Sequence, residues 1–256
     1  MRTWPIYKKE LRLYFTSAVA YAVLTAFLFM MGWFFQRIFF SFVGLSLQAA
    51  ANPMLARDMN PTDMIMRNLL SNMSVILLFL TPLLTMRIFA EERRSGTIEL
   101  LLTYPVRDGA VLLGKYFAAL TLYGAMIAIT LVYPAILWRF GARLEWGPLV
   151  TGYLGLMLLG AAFLAIGVLS SSLTENQIIA GISTFAVLLA LWVAGWFADY
   201  AGPTWGGVLR HLSVLEHNES FAKGVLDTKD LIYYVDLSVI ALFLALRSVE
   251  SRRWRA

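Results

Sequence analysis

A chain of 256 residues is long enough for one or two soluble domains, yet 59% of it is apolar and only 14% is charged, against about a quarter charged in an ordinary globular chain. That balance excludes a disordered tail, a collagen-like repeat and a typical soluble enzyme, and it points to a polytopic membrane protein. With no cysteine there are no disulfides, thiolate metal sites or cysteine nucleophile, and the net charge of +5 reads first as an orientation signal rather than a nucleic-acid one.

Residues 1–15 mix Trp4, Tyr7 and Phe15 with Lys8, Lys9 and Arg12. Rings at headgroup level and cations toward anionic lipid suit a short interfacial helix, with membrane lipid as its partner. Six stretches then have the roughly 20 apolar residues a span needs: about 16–36, 68–88, 115–138, 148–170, 176–198 and 231–247. Residues 38–56 also lack charge, but their second half is Ala-rich and carries Gln48, Asn52 and Pro53. The start of that stretch reads as an extension of the first helix and the rest as an external loop. The first apolar run is too long for a cleaved signal and no small-residue cleavage site follows it before Arg37. Six spans with the N-terminus inside leave thirteen of the 21 basic residues on cytoplasmic pieces. The expected placement is therefore the cell inner membrane with both termini cytoplasmic. One domain over 1–256 is the economical reading, since no fixed-period repeat or low-complexity tract is present.

The connection between the second and third spans is the most informative segment. It reads Glu91-Glu-Arg-Arg-Ser-Gly-Thr-Ile-Glu-Leu-Leu-Leu-Thr-Tyr-Pro105: a charge cluster, a glycine, then a short apolar stretch that Pro105 ends. Ile98, Leu101 and Leu102 share one helix face. The stretch is too short to span and too apolar for water, so it suits a groove in a cytosolic partner or the membrane surface. The long stretch from Asp199 to Asp230 is broken at Gly202-Pro203, and Val208–Leu215 and Phe221–Leu226 suit either re-entrant or interfacial half-helices or an ordinary external loop. Phe221, Gly224 and Asp230, with Asp236 of the sixth span, are candidate gate or translocation residues. Intramembrane carboxylates are costly and often functional, while one at the interface costs little.

Catalytic motifs are weak. Gly109 to Lys115 fits a phosphate-binding loop except that Tyr116 stands where Ser or Thr would hold magnesium, and no strand precedes it. Packing is the better reading, with Lys115 marking the end of the third span. His211 and His217 lie near Glu216 and Glu219 at no recognised zinc spacing, which reads as a solvated loop. Ser170, Ser171 and Ser172 have no base nearby, so hydrolysis has little support. No catalytic, cofactor-binding or metal residue is expected in this chain. Ala18, Ala22 and Ala26, like Ala190, Ala194 and Ala198, recur at a spacing that allows close helix approach.

The basic N-terminus, the six spans, the Glu91–Pro105 connector and the later Gly114-Lys115 together resemble the permease subunits of ABC-2 type transporters. The closer likeness is to permeases linked with gliding motility and with nitrous-oxide reductase maturation. Phe221-Ala-Lys-Gly-Val-Leu-Asp-Thr-Lys-Asp-Leu-Ile-Tyr-Tyr234 is similar to the stretch before their last span. The resemblance implies an all-α membrane fold of the type V exporter kind, non-catalytic in itself. It implies a coupling helix at about Glu92–Tyr104 seated in a separate nucleotide-binding ATPase, which would bind ATP and magnesium. Glu91, Glu92, Arg93, Gly96, Thr97, Glu99, Leu100, Leu101, Tyr104 and Pro105 are the residues it assigns to that contact. It further implies a second permease, either an identical copy or a sister chain, and export of a lipid, glycan, drug or ion. An ATP-independent channel or secondary carrier is the alternative, although carriers often show paired repeats and several intramembrane charges.

Overall fold

The computed structural model describes residues 3–51, 59–96 and 107–253, and these are all helix, turn and short connection with no strand among them. Among the described residues, six helices are long and apolar enough to cross a membrane. The first element, α1 (Thr3–Thr16), is amphipathic. It presents Trp4, Lys8, Lys9 and Arg12 outward and turns Ile6, Tyr7, Glu10 and Tyr14 toward the bundle. After a one-residue break at Ser17 comes α2 (Ala18–Ala51), 34 residues long.

The start of residues 38–56 extends the first helix as expected, and the part expected to be an external loop is also helix as far as Ala51. Leu45, Leu47 and the alanines are good helix formers, and Pro53 is the first breaker after them. At 1.5 Å per residue α2 measures about 50 Å, well beyond the ~30 Å hydrocarbon core, so it must tilt or project.

The second span begins as a turn of π-helix, Thr62–Arg67, and continues as α3 (Asn68–Thr85). Its regular ladder stops at Met86–Phe89, and a five-residue α4 (Ala90–Arg94) follows. The third span is α5 (Asp108–Ile129) and α6 (Val132–Arg139), separated at Thr130-Leu131. Pro134 causes that break, because it lacks the N–H that would reach the Thr130 carbonyl. That carbonyl accepts instead from the Tyr133 amide at 3.0 Å and the Tyr153 hydroxyl at 3.1 Å. Then come α7 (Trp146–Leu173) and α8 (Gln177–Ala198). Two short helices, α9 (Gly202–Leu212) and α10 (Val214–Ala222), precede the last span, α11 (Thr228–Arg253).

The core is organised on α7, which packs against α3, α5, α8, α10 and α11. The apolar windows of α3 and α7 are each 72% buried, against 22% for α2 and 28% for α8 and α11. Two helices are thus interior, and three present most of their apolar surface outward.

Glycines on α7 allow the close approach. An added Cβ on Gly160 would lie 2.0 Å from Tyr123 Cζ, and one on Gly167 would lie 2.2 Å from Thr85 Oγ1. Tyrosines of α5 fasten the contact by donating to α7 carbonyls, Tyr116 to Ala161 at 3.1 Å and Tyr123 to Leu156 at 2.8 Å. Small residues with interhelical hydrogen bonds hold helices together where apolar burial alone gives no preference over lipid.

Candidate functional site

The candidate site is the end of the bundle where α1, the start of the second-to-third connection and the head of α5 meet. At its centre is Lys115, 3% exposed. Its ammonium donates to Glu10 Oε1 at 3.0 Å and Glu92 Oε1 at 2.8 Å, and it stands 5.5 Å from the centre of the Phe89 ring. Three separate pieces of chain are joined there: α1, α4 and α5. A buried cation is tolerated only with such partners.

The neighbouring Gly114 explains why α1 lies so close. A Cβ there would be 2.9 Å from Ile6 Cγ2 and 3.3 Å from the Tyr7 nitrogen. The partial phosphate-loop pattern thus serves packing and pairing: Gly114 admits α1, and Lys115 bonds to it. Tyr14 anchors the far end of α1 by donating to the Leu84 carbonyl at 3.2 Å. Burial, with the Glu10 carboxylate adding to it, pushes that phenol's pKa well up. A cleft of about 380 Å³ opens beside the ion cluster, bounded by Glu10, Tyr14, Arg87, Glu91, Glu92 and Lys115.

Of the connector residues singled out in the sequence, Glu91 is exposed, Glu92 turns inward to Lys115, and Arg93 is 7% exposed. Gly96 adopts φ 71°, a conformation that favours glycine, and so turns the chain out of α4. Thr97, Glu99, Leu100, Leu101, Tyr104 and Pro105 lie outside the described residues. The connector's root is held by Ser171 of α7. Its hydroxyl accepts from the Phe89 and Ala90 amides at 3.0 and 3.1 Å and donates to the Met86 carbonyl at 3.2 Å.

The opposite end carries the candidate gate residues. Phe221 is fully buried against α7, where a Cβ on Gly155 would meet its Cβ at 2.6 Å. Its carbonyl accepts from Thr151 at 2.8 Å. Gly224, at φ 85°, ends α10 in a Schellman motif, with its amide donating to the Phe221 carbonyl and that of Val225 to Ser220.

Asp230 is 1% exposed and bonds His217 Nδ1 through Oδ1 at 2.6 Å, while its Oδ2 is buried with no hydrogen-bond partner among the described residues. His217 Nε2 is 3.0 Å from the His211 carbonyl. A carbonyl only accepts, so Nε2 carries a hydrogen, and a further proton must lie between Nδ1 and the carboxylate. The ring also stacks on Tyr233 at 4.0 Å. The expected solvated histidine loop is thus corrected for His217: it is a buried link between α10 and α11. Tyr233 and Tyr234 add to that link by donating to the Leu212 and Val214 carbonyls. Asp236 is not part of this group; it is exposed on the outer face of α11.

Residues 4–216 match the family model described as ABC-2 family transporter protein. The chain belongs to the ABC-2 transporter family. No curated protein matches it. The family match carries the superfamily and not the narrower gliding-motility likeness. The protein is a multi-pass membrane permease subunit of an ABC transporter, and the family implies an ATPase partner.

Within this ABC-2 permease, reading the sequence missed Glu10 as a partner of the connector. Its position on the inner face of an amphipathic helix, four residues before Tyr14, was the available signal. Nothing in the sequence marks Ser171 as the cap of a helix more than 80 positions earlier.

Proposed function

We propose that this ABC-2 permease couples ATP hydrolysis on a separate nucleotide-binding subunit to export of a substrate across the cell inner membrane. Both of its termini and the 91–105 connector face the cytoplasm. The connector seats in the ATPase, which holds ATP and magnesium. Residues Glu91 to Pro105 make or support that contact, and α1 lies at the cytoplasmic headgroup level with Lys8, Lys9 and Arg12 toward lipid. Two permeases, identical or sister chains, form the membrane part.

The observation that carries this reading is the Glu10–Lys115–Glu92 cluster. A displacement of the connector cannot be absorbed at its root, because Glu92 is bonded to the head of the third span and, through it, to α1. Connector, third span and surface helix therefore move together. An ATP-independent carrier would need titratable groups along a path between helices, and the outward position of Asp236 removes one such group.

The test is purification from the native membrane in mild detergent, followed by reconstitution. An ATPase should co-purify, should be lost when the connector is replaced by a Gly-Ser linker, and should hydrolyse ATP faster with the permease than without it. A chain that stays alone under conditions that preserve other complexes would refute the proposal.

A further inference from the structure

We infer that Ser171 is a positioning residue, the fixed pivot on which the connector turns relative to the bundle. The inference deepens the coupling reading above and rests on it.

The second span must bend somewhere if a connector movement is to reach the membrane. Its middle is the weaker candidate: Pro82 has no N–H for the Leu78 carbonyl, and the Thr81 and Thr85 hydroxyls bond back to the Leu77 and Thr81 carbonyls at 2.6 and 3.0 Å, features that bend a helix without parting it, and α3 runs on unbroken to Thr85, packed against α7. The first place where helix gives way to turn is Met86–Phe89. At such a break the next helix starts with orphan amides, which ordinarily find a side chain just before them in sequence.

Here no local side chain caps α4. The Phe89 and Ala90 amides both go to Ser171 Oγ, on another span, and the same hydroxyl returns its hydrogen to Met86. All of a serine's usual donor and acceptor capacity is used. Phe89, Ala90 and Ser171 are each 1% exposed or less, so water cannot readily replace any of these bonds. A single oxygen bonded to both sides of the break permits rotation about itself while preventing separation. Just beyond it, Phe89 packs toward Lys115 and Glu92 joins the ion cluster. Rotation about Ser171 therefore shifts the cluster and with it α1 and α5.

Ser172 supplies a matched control. It is equally buried, but among the described residues its hydroxyl bonds to Leu169 of its own helix alone. We would compare S171A with S172A in three measurements.

First, amide exchange at Phe89 and Ala90 in the purified chain should rise about tenfold or more in S171A and stay at the wild-type level in S172A. Second, the chain has no cysteine, so spin labels at Arg94→Cys and Leu173→Cys report one distance. Its distribution should broaden in S171A alone. Third, in the co-purified complex S171A should keep its ATPase but lose most of the permease-dependent stimulation of hydrolysis, while S172A keeps it. A wild-type preparation without an ATPase overturns the coupling reading. A coupled wild type in which S171A cannot be told from S172A in exchange, distance and stimulation overturns the pivot.

Discussion

Replacing Lys115 by methionine tests the ion cluster at its centre. The substitution keeps the stem and removes only the charge. It leaves Glu10 and Glu92, with side chains 11% and 18% exposed, facing one another without the cation they shared at 3.0 and 2.8 Å. Stranding a partner of a buried ion pair costs about 3–5 kcal/mol, and the partial exposure of both carboxylates puts this case near 3 kcal/mol. The lost contact with Phe89 is worth at most ~1 kcal/mol more.

For a chain of this size that is an apparent melting shift of roughly 6–12 °C, read by tryptophan fluorescence in detergent at a fixed scan rate. The triple substitution K115M/E10Q/E92Q removes all three charges and should recover most of the loss, because a neutral cluster of similar volume strands nothing. If K115M melts within about 2 °C of wild type, or the triple variant melts no higher than K115M, the cluster does not hold these elements together.

Three further outcomes follow from the geometry. G160A should destabilise by about 2–4 kcal/mol, because its Cβ displaces the buried Tyr123 ring and breaks the bond to Leu156; adding Y123L should raise the melting point again, and failure to do so would place the damage elsewhere. H217A and D230A should each cost about 2–4 kcal/mol, yet the double variant should fall short of their sum by more than about 1 kcal/mol in a mutant cycle. Glu219 has its pKa lowered, first by the hydrogen bond from Lys223 and then by the charges of Lys223 and Arg67, against an opposing effect of burial. A lowered carboxylate stabilises above its unfolded value and loses that contribution as pH falls through the folded one. E219Q should therefore melt about 1 °C below wild type at pH 7, and the gap should close toward pH 3, the small size reflecting a solvent-screened pair.

The six long apolar helices are legible in the sequence because twenty uncharged residues leave few alternatives to a span. Length is less legible where nothing punctuates the helix. α2 outruns the apolar run to Gln36 because Arg37 and Gln48 do not break a helix, and Pro53 is the first residue that would. The pattern marks Lys115 as the end of a span and Glu92 as part of a partner contact, yet the two are bonded to one another inside the bundle. A single charge cannot announce its partner when that partner is Glu10, 105 positions away. His217 misled for the same reason, since its spacing to nearby acids says nothing of Asp230 across a turn. Ser171 has no neighbouring base in the sequence to make it a nucleophile. What it has instead is two backbone amides, and backbone groups leave no trace in a residue pattern.

The pairing of α7 with α11 has a consequence for biogenesis. The fourth span emerges from the ribosome long before the sixth, so a notched helix with small side chains waits beside α3 and α5 with one side uncovered until Thr228–Arg253 arrives. During that interval lipid or an insertion chaperone must occupy the place of Tyr234, Ala241 and Ala245, all buried in the finished bundle. A chain released before its last helix would display that vacant groove within the bilayer.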